Sequence, residues 1–356
     1  MRALFLHGGG AWDGGARVFA TVAHALASRG YETWFAAPAG SEAAMQAVDR
    51  GAQVLALSER RGARADAARV REVLPRDFVD VVFVHDDAEH LAAALAIRGA
   101  KHGSVVRRIA AGGKIQPTWR GRRAQRLATT RYLYTSESPP SGHAAPSGTP
   151  VPLRAELGVG VAEASNGTGP GGATVLVCMA TRESLRRATN VVRAAALLAQ
   201  RHRALTLRVI GSVAQDGDLK LLAAALGLGR RVEWLGHPPD TSAALRGAAA
   251  GWVVADGDDA ALGALDLMAH GVAVLSERSS IARRYVSHGI HGTLMEHLDP
   301  ALMAAETAVL LADADRRTAM GAAGRMRVER EFSLRDMLAG FEQAVRSSRE
   351  RTAGPA

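Results

Sequence analysis

Val79-Asp80-Val81-Val82-Phe83-Val84, running straight into His85-Asp86-Asp87, is the stretch that decides the fold class. Its apolar side chains follow one another without strict alternation, so neither side of the strand is made to face water. That is the pattern of a strand buried on both faces of a parallel sheet. An alanine-rich helical segment, Ala88–Ile97, comes next. The same rhythm repeats outward in both directions. Towards the N-terminus lie strands Ala3–His7, Glu32–Ala36 and Gln53–Leu57, separated by helical Gly14–Arg29 and Ala65–Val73. Towards the C-terminus, Ser104–Ala110 and Tyr132–Thr135 flank helical Gly121–Thr129. Strand, helix and strand in this order predict a doubly wound α/β domain.

From Ser136 to Gly172 the rhythm stops and Pro, Gly and Ser take over, with Pro139-Pro140, Ser165-Asn166-Gly167 and Gly169-Pro170-Gly171-Gly172. Such composition reads as an interdomain linker. A second α/β series starts at Thr174–Met179 and continues through Leu205–Ile210, Val232–Trp234, Gly251–Val254, Val272–Ser276 and His291–Met295. Helical Pro300–Leu311, Asp313–Glu331 and Leu334–Arg346 close the chain. We expect two tandem Rossmann-like domains facing a central cleft: residues 1–150, a linker over 151–172, and residues 173–333. Ligands of open α/β sheets bind beyond the carboxyl ends of the strands, so chemistry is expected in those loops.

The 356 residues suit two domains of ordinary size, and 47% hydrophobic with 22% charged residues is a globular balance. Ala3 to Leu6 is too short for a signal peptide, no segment reaches membrane-spanning length, and Cys178 is the single cysteine. A cytoplasmic location is the resulting expectation. The net charge is +9, and nine basic residues fall between Lys101 and Arg131 with no acid among them. We read that stretch as a field for phosphates or an anionic membrane surface, against the plain alternative of a solvated arginine-rich face. It lacks the aromatic platforms of single-strand binders, and no DNA-reading motif occurs, so no nucleic-acid partner is expected.

Several candidate sites can be weighed residue by residue. His7-Gly8-Gly9-Gly10, with Gly14-Gly15 opening the next helix, lets backbone amides approach a ligand. No Gly-x-Ser-x-Gly elbow and no Gly-Lys-Ser/Thr occur, and Asp13 stands where a dinucleotide fingerprint wants its third glycine. A substrate-contact loop remains, with a merely structural turn as the alternative. His85-Asp86-Asp87 with His90, and His288 with His291, lack a closed ligand set, so no metal is expected there. His85 ends a buried strand on the cleft side, where a ligand contact is expected. Arg182 and Arg187 follow the strand Thr174–Met179 and open a helix, where two guanidinium groups and the helix dipole together favour a pyrophosphate.

Arg182-Glu183-Ser184-Leu185-Arg186-Arg187 resembles the Arg-x4-Lys motif of the retaining glycosyltransferases of family 4, with arginine in place of lysine. Val209-Ile210-Gly211-Ser212, Val232-Glu233-Trp234-Leu235-Gly236 and Asp266-Leu267-Met268-Ala269-His270-Gly271-Val272-Ala273-Val274 are similar to the family's next three segments in order. Ile290-His291-Gly292-Thr293-Leu294-Met295 and Arg330-Glu331-Phe332-Ser333 complete the likeness, which is looser in the first domain at Gly14-Gly15-Ala16-Arg17. Where the family has Glu-x7-Glu this chain has Asp258 and Asp266, and Asp259-Ala260-Ala261-Leu262 replaces a small glycine-containing loop.

The resemblance implies a GT-B architecture whose last helix, about 334–356, crosses back to the first domain. It implies a glycosyltransferase moving a sugar from a nucleotide sugar, UDP- or GDP-linked, to a saccharide or lipid-linked acceptor with retention of configuration, without a metal or other cofactor. Catalysis would rest on Arg182, Arg187 and Asp258. Donor binding would add Gly211, Ser212 and Asp266, with Asp258 on the sugar hydroxyls and Asp266 on the ribose. Gly14, Gly15, Arg17 and His85 would face the acceptor. Two alternatives remain open: an inactive nucleotide-binding or scaffolding subunit of a glycosylation complex, to which the two aspartates point, and a GT-B nucleotide-sugar epimerase.

Overall fold

The structure is a computed structural model that describes residues 1–58, 62–73, 79–98, 103–113, 115, 118–135, 153–161, 164, 165, 167, 169 and 172–350. Lys101, Lys114 and residues 136–152, the first part of the Pro-, Gly- and Ser-rich stretch, lie outside these residues. The chain forms two compact units, one of Met1–Glu156 with Arg335–Ala356 and the other of Leu157–Leu334.

The first unit alternates β1 (Arg2–Leu6), α1 (Gly14–Ala27), β2 (Glu32–Pro38), α2 (Glu42–Asp49), β3 (Val54–Leu57), α3 (Ala63–Val73), β4 (Val81–Val84), α4 (Asp87–Ala96), β5 (Ser104–Ile109), α5 (Trp119–Leu127) and β6 (Thr130–Tyr134), then adds the short edge strand β7 (Leu153–Arg154). All pairings are parallel and the sheet order is β3-β2-β1-β4-β5-β6-β7. Every residue of β4, β5 and β6 is buried, as strands covered on both faces must be. Aromatic side chains form the centre of one face. Phe5 stacks on Phe83 with ring centroids 4.7 Å apart, Phe19 meets Phe5 edge-on at 5.4 Å, and Phe341 lies 5.4 Å from Phe83. Phe341 belongs to the last helix of the chain, α13 (Leu334–Glu350). On the same helix Glu342 accepts a hydrogen bond from the Tyr31 hydroxyl at 2.7 Å and pairs with Arg29 at 3.1 Å.

The second unit contains β8 (Thr174–Met179), α6 (Leu185–Ala199), β9 (Leu205–Ile210), α7 (Gly217–Ala225), β10 (Val232–Gly236), α8 (Thr241–Leu245), β11 (Ala248–Val253), α9 (Gly257–Ala269), β12 (Ala273–Glu277), α10 (Ser280–Tyr285), β13 (Gly292–Met295), α11 (Pro300–Ala312) and α12 (Ala314–Glu331). Its six parallel strands run β10-β9-β8-β11-β12-β13 around a core in which Trp252 is 1% exposed. Helix starts are written in short acceptors. Asp13, Ser41, Thr118, Asp216, Asp240, Ser279 and Asp313 each cap the backbone N–H three residues on, and Pro300 opens α11. At its two ends, Val159 donates its N–H to the Phe332 carbonyl and Leu334 donates to the Val159 carbonyl, both at 3.0 Å.

The basic stretch between Lys101 and Arg131 does not form one exposed field. Arg107, Arg108 and Arg131 sit on β5 and β6 and are buried, at 7%, 0% and 7% exposure. Arg107 is ion-paired with Asp87, the first residue of α4, and Arg131 donates to Ser347 of α13. What faces solvent is α5, with Trp119, Arg120, Arg122, Arg123 and Arg126 exposed and Arg120 lying 5.5 Å over the Trp119 ring. Among the described residues no helix is long and apolar enough to cross a membrane.

Candidate functional site

In the second unit the strand order turns back between β8 and β11, since β9 and β10 lie on one side of β8 and β12 and β13 on the far side of β11. Loops leaving adjacent strands in opposite directions open a crevice at their carboxyl ends. Four segments meet there: Ala180–Ser184 after β8, Gly211–Ser212 after β9, Val254–Asp258 after β11, and the end of β12 at Glu277.

Gly211 sets the tight part of this arrangement. Its φ is +106°, and a Cβ on it would lie 2.0 Å from the Ala180 carbonyl oxygen, so only glycine fits against the β8 loop. Its N–H donates to the Gly236 carbonyl at 2.6 Å. Held this way, Ser212 accepts the Arg182 backbone N–H at 2.9 Å and ties the β8 and β9 loops together. Arg182 itself is exposed and carries no ion pair among the described residues. Arg187 stands in the first turn of α6, where first-turn acids are absent. It is engaged: both terminal nitrogens bind the Asp256 carboxylate, one at 3.0 Å, and Glu277 stands 3.7 Å away.

Asp258 and Asp266 are buried, at 6% and 5% exposure, two turns apart on α9. Asp256 occupies the N-cap position of that helix, so Asp258-Asp259-Ala260-Ala261 is the first turn of a helix rather than a loop. Acids in a first turn suit the helix dipole, which accounts for the local structure without a ligand. On the neighbouring turn, His270 Nδ1 is 2.7 Å from the Asp266 carbonyl oxygen. Cys178 is fully buried in β8, and burial pushes its thiol up to about 12, so it is inert.

The first unit has the equivalent crevice between β1 and β4. Glu89, buried in the first turn of α4, fills it. It accepts from Gly8 N–H at 2.5 Å, His85 N–H at 2.7 Å and Asp86 N–H at 3.3 Å, while Asp86 caps the helix by accepting from Glu89 N–H. The glycine-rich turn after β1 is therefore fastened to β4 by one carboxyl group. His85 stacks on Phe19 at 3.7 Å and lies beside Gly15, where an added Cβ would come within 3.0 Å of His85 Nε2. Gly14, Gly15 and Arg17 open α1 beside it, so the four residues assigned to the acceptor share one end of the sheet. Burial, with Arg108 and then His7 nearby, holds the His85 imidazole well below the usual histidine range and hence neutral. Among the described residues no group of three or more His, Cys, Asp or Glu is arranged to hold a metal ion.

Glu89 was not singled out from the sequence, although Asp86-x-x-Glu89 is the pattern of a reciprocal cap. Burial, and then the Asp86 charge, push its carboxyl up to about 8, with the three N–H donors opposing. A raised carboxyl in the folded state favours folding below the unfolded value near 4.5, and this contribution is lost as pH rises through about 8. Glu89→Gln, which stays neutral throughout, is expected to flatten the fall of melting temperature between pH 5 and about 8. Parallel melts of both proteins across that window check this; identical slopes refute it.

Residues 165–327, just under half of the chain, match the family model described as Glycosyl transferases group 1. The match lies within the second unit and supports placing it among glycosyltransferase domains. No curated protein matches the chain. Among solved structures, a glycosyltransferase from Rickettsia africae ESF-5 is similar at 14% identity over 98% of both chains, with a TM-score of 0.71. HepE from Anabaena in complex with UDP-glucose is 16% identical over 98% of this chain and 100% of its own, with a TM-score of 0.73. The fold is GT-B. A putative UDP-N-acetylglucosamine 2-epimerase from Listeria monocytogenes has 14% identity over 98% and 97% of the two chains and a TM-score of 0.65.

Proposed function

We propose that this GT-B protein transfers a sugar from a nucleoside-diphosphate sugar to a saccharide or lipid-linked acceptor with retention of anomeric configuration. The observation that carries the reading is the placement of Arg182 and Arg187, both on the loop and helix start after β8, at the switch-point crevice of the unit that matches the glycosyltransferase family. A departing diphosphate needs cations and helix N–H groups where its charge grows, and in this reading Arg182, Arg187 and the start of α6 supply them. In this reading the acceptor hydroxyl attacks the anomeric carbon on the face from which the diphosphate leaves. The glycosidic bond forms as the sugar–phosphate bond breaks, and the proton passes to the leaving phosphate oxygen. No protein nucleophile is then required. Asp258 and Asp266 contact the sugar and the ribose, His85 and the α1 start serve the acceptor, and the exposed face of α5 meets an anionic acceptor or bilayer.

The test is a thermal-shift panel with UDP, GDP, ADP and their sugars. A ligand at about 100 times its dissociation constant adds roughly 2.7 kcal/mol, which raises the melting temperature by several degrees. We expect one base to stand out, and no shift with any nucleotide would overturn the reading. A second reading, a non-catalytic subunit, draws on the engaged Arg187 and on the two aspartates, Asp258 and Asp266, that stand where the resembled family has glutamates. Transfer or donor hydrolysis by the purified chain excludes it, and release of only epimerised nucleotide sugar would favour the epimerase.

A further inference from the structure

The two arginines of the proposed donor site differ in one respect that the motif does not encode. Arg182 is exposed and carries no ion pair among the described residues, whereas both terminal nitrogens of Arg187 are occupied by Asp256, with Glu277 at 3.7 Å. The elements bearing these groups lie across the crevice from one another: Arg187 comes from the β8 side, and Asp256 and Glu277 from the ends of β11 and β12. The pair therefore bridges the space that a diphosphate would enter. It is not a buried structural pair, since the Arg187 side chain is 26% exposed and that of Asp256 71%. Asp256 is not needed to cap α9 either, as its side chain makes no capping hydrogen bond. A half-exposed pair of this kind adds little to stability and breaks easily.

We propose that Asp256, assisted by Glu277, is an anion latch on Arg187 that sets donor affinity and selects ligands carrying two linked phosphoryl groups. The inference rests on the donor-site reading above. A carboxylate offers a guanidinium the same two-oxygen face that a phosphoryl group does, so the two compete for one fork. A single phosphoryl group held by Arg182 leaves the latch shut. A diphosphate places its second phosphoryl group against Arg187 and displaces Asp256, which swings into solvent at little cost. With two carboxylates facing one guanidinium, the subsite is locally negative until it is filled, and weak anions are turned away.

Calorimetric titration of the full chain with inorganic pyrophosphate and with UDP, GDP and ADP tests this on wild type, Asp256→Asn and Glu277→Gln. Asparagine is as good an N-cap as aspartate, so the first variant keeps the start of α9. Asp256→Asn is expected to tighten pyrophosphate and the preferred nucleotide about fivefold, and Glu277→Gln about twofold, with both gains shrinking at high salt. Uridine, guanosine and adenosine, which carry no phosphate, should show no gain. Wild-type binding that is unchanged or weakened in both variants overturns the latch and leaves the donor site standing. Absence of binding by every protein to every phosphate ligand overturns the latch and the donor site together. Binding by Asp256→Asn alone would be the strongest support.

Discussion

Arg182→Ala is expected to lower turnover with the nucleotide sugar on the order of 100-fold while the protein stays folded. The fold is spared because the anchoring of this residue is done by its backbone: the N–H to Ser212 survives the substitution, and the side chain is exposed and makes no ion pair among the described residues. On the proposed reading the chemistry suffers because the guanidinium would meet charge that grows only as the sugar–phosphate bond breaks. A contact strengthened in the transition state appears in kcat more than in the donor KM. Steady-state rates with a melting curve of each variant separate the two effects, and unchanged turnover would remove Arg182 from the site. Arg187→Ala should also lose turnover, with a gentler change in donor binding, because the wild-type side chain must first leave Asp256.

Gly211→Ala is the second large effect. The new Cβ would stand 2.0 Å from a backbone oxygen, which no rotamer can relieve, and the residue sits at a φ of +106° that L side chains avoid. Strain of this kind costs about 3 kcal/mol. For a unit of this size that corresponds to a melting temperature roughly 6–12 °C lower. The shift should be accompanied by weaker nucleotide binding, since Ser212 and with it the Arg182 loop must move. Alanine at Gly217, where a Cβ meets nothing within 4 Å, provides the contrast and should melt like the wild type.

These two expectations draw on different depths of the sequence. Strands such as Thr174–Met179 and Val81–Val84 were legible because β-branched runs have few other uses. The strand Ala248–Val253 was read only from Gly251 onward, as its three alanines carry no strand signal and are extended only because the chain lies between β8 and β12. The short helices Glu42–Asp49, Gly217–Ala225, Thr241–Leu245 and Ser280–Tyr285 were missed, although each begins at a Ser or Asp cap. Within the site, Arg182 and Arg187 were visible from their place between a strand and a helix start, and the Gly211-Ser212 turn through the family resemblance. The hold of Asp256 and Glu277 on Arg187 was not, since it joins residues 69 and 90 positions apart. The arginines of β5 misled for a related reason: adjacent residues on a strand point to opposite faces, and here both faces are covered.

The route of the chain also has a bearing on how the protein is made. Phe341 completes the aromatic cluster of Phe5, Phe19 and Phe83, yet it is synthesised after the whole of the second unit. On the ribosome, residues 157–334 have every strand and helix they need before Phe341 emerges, whereas the first unit waits with an uncovered apolar face. Folding during synthesis is thus expected to finish in the middle of the sequence first and at its two ends last. Nascent chains stalled just before α13 should present that face to chaperones, and chains released a few turns later should not.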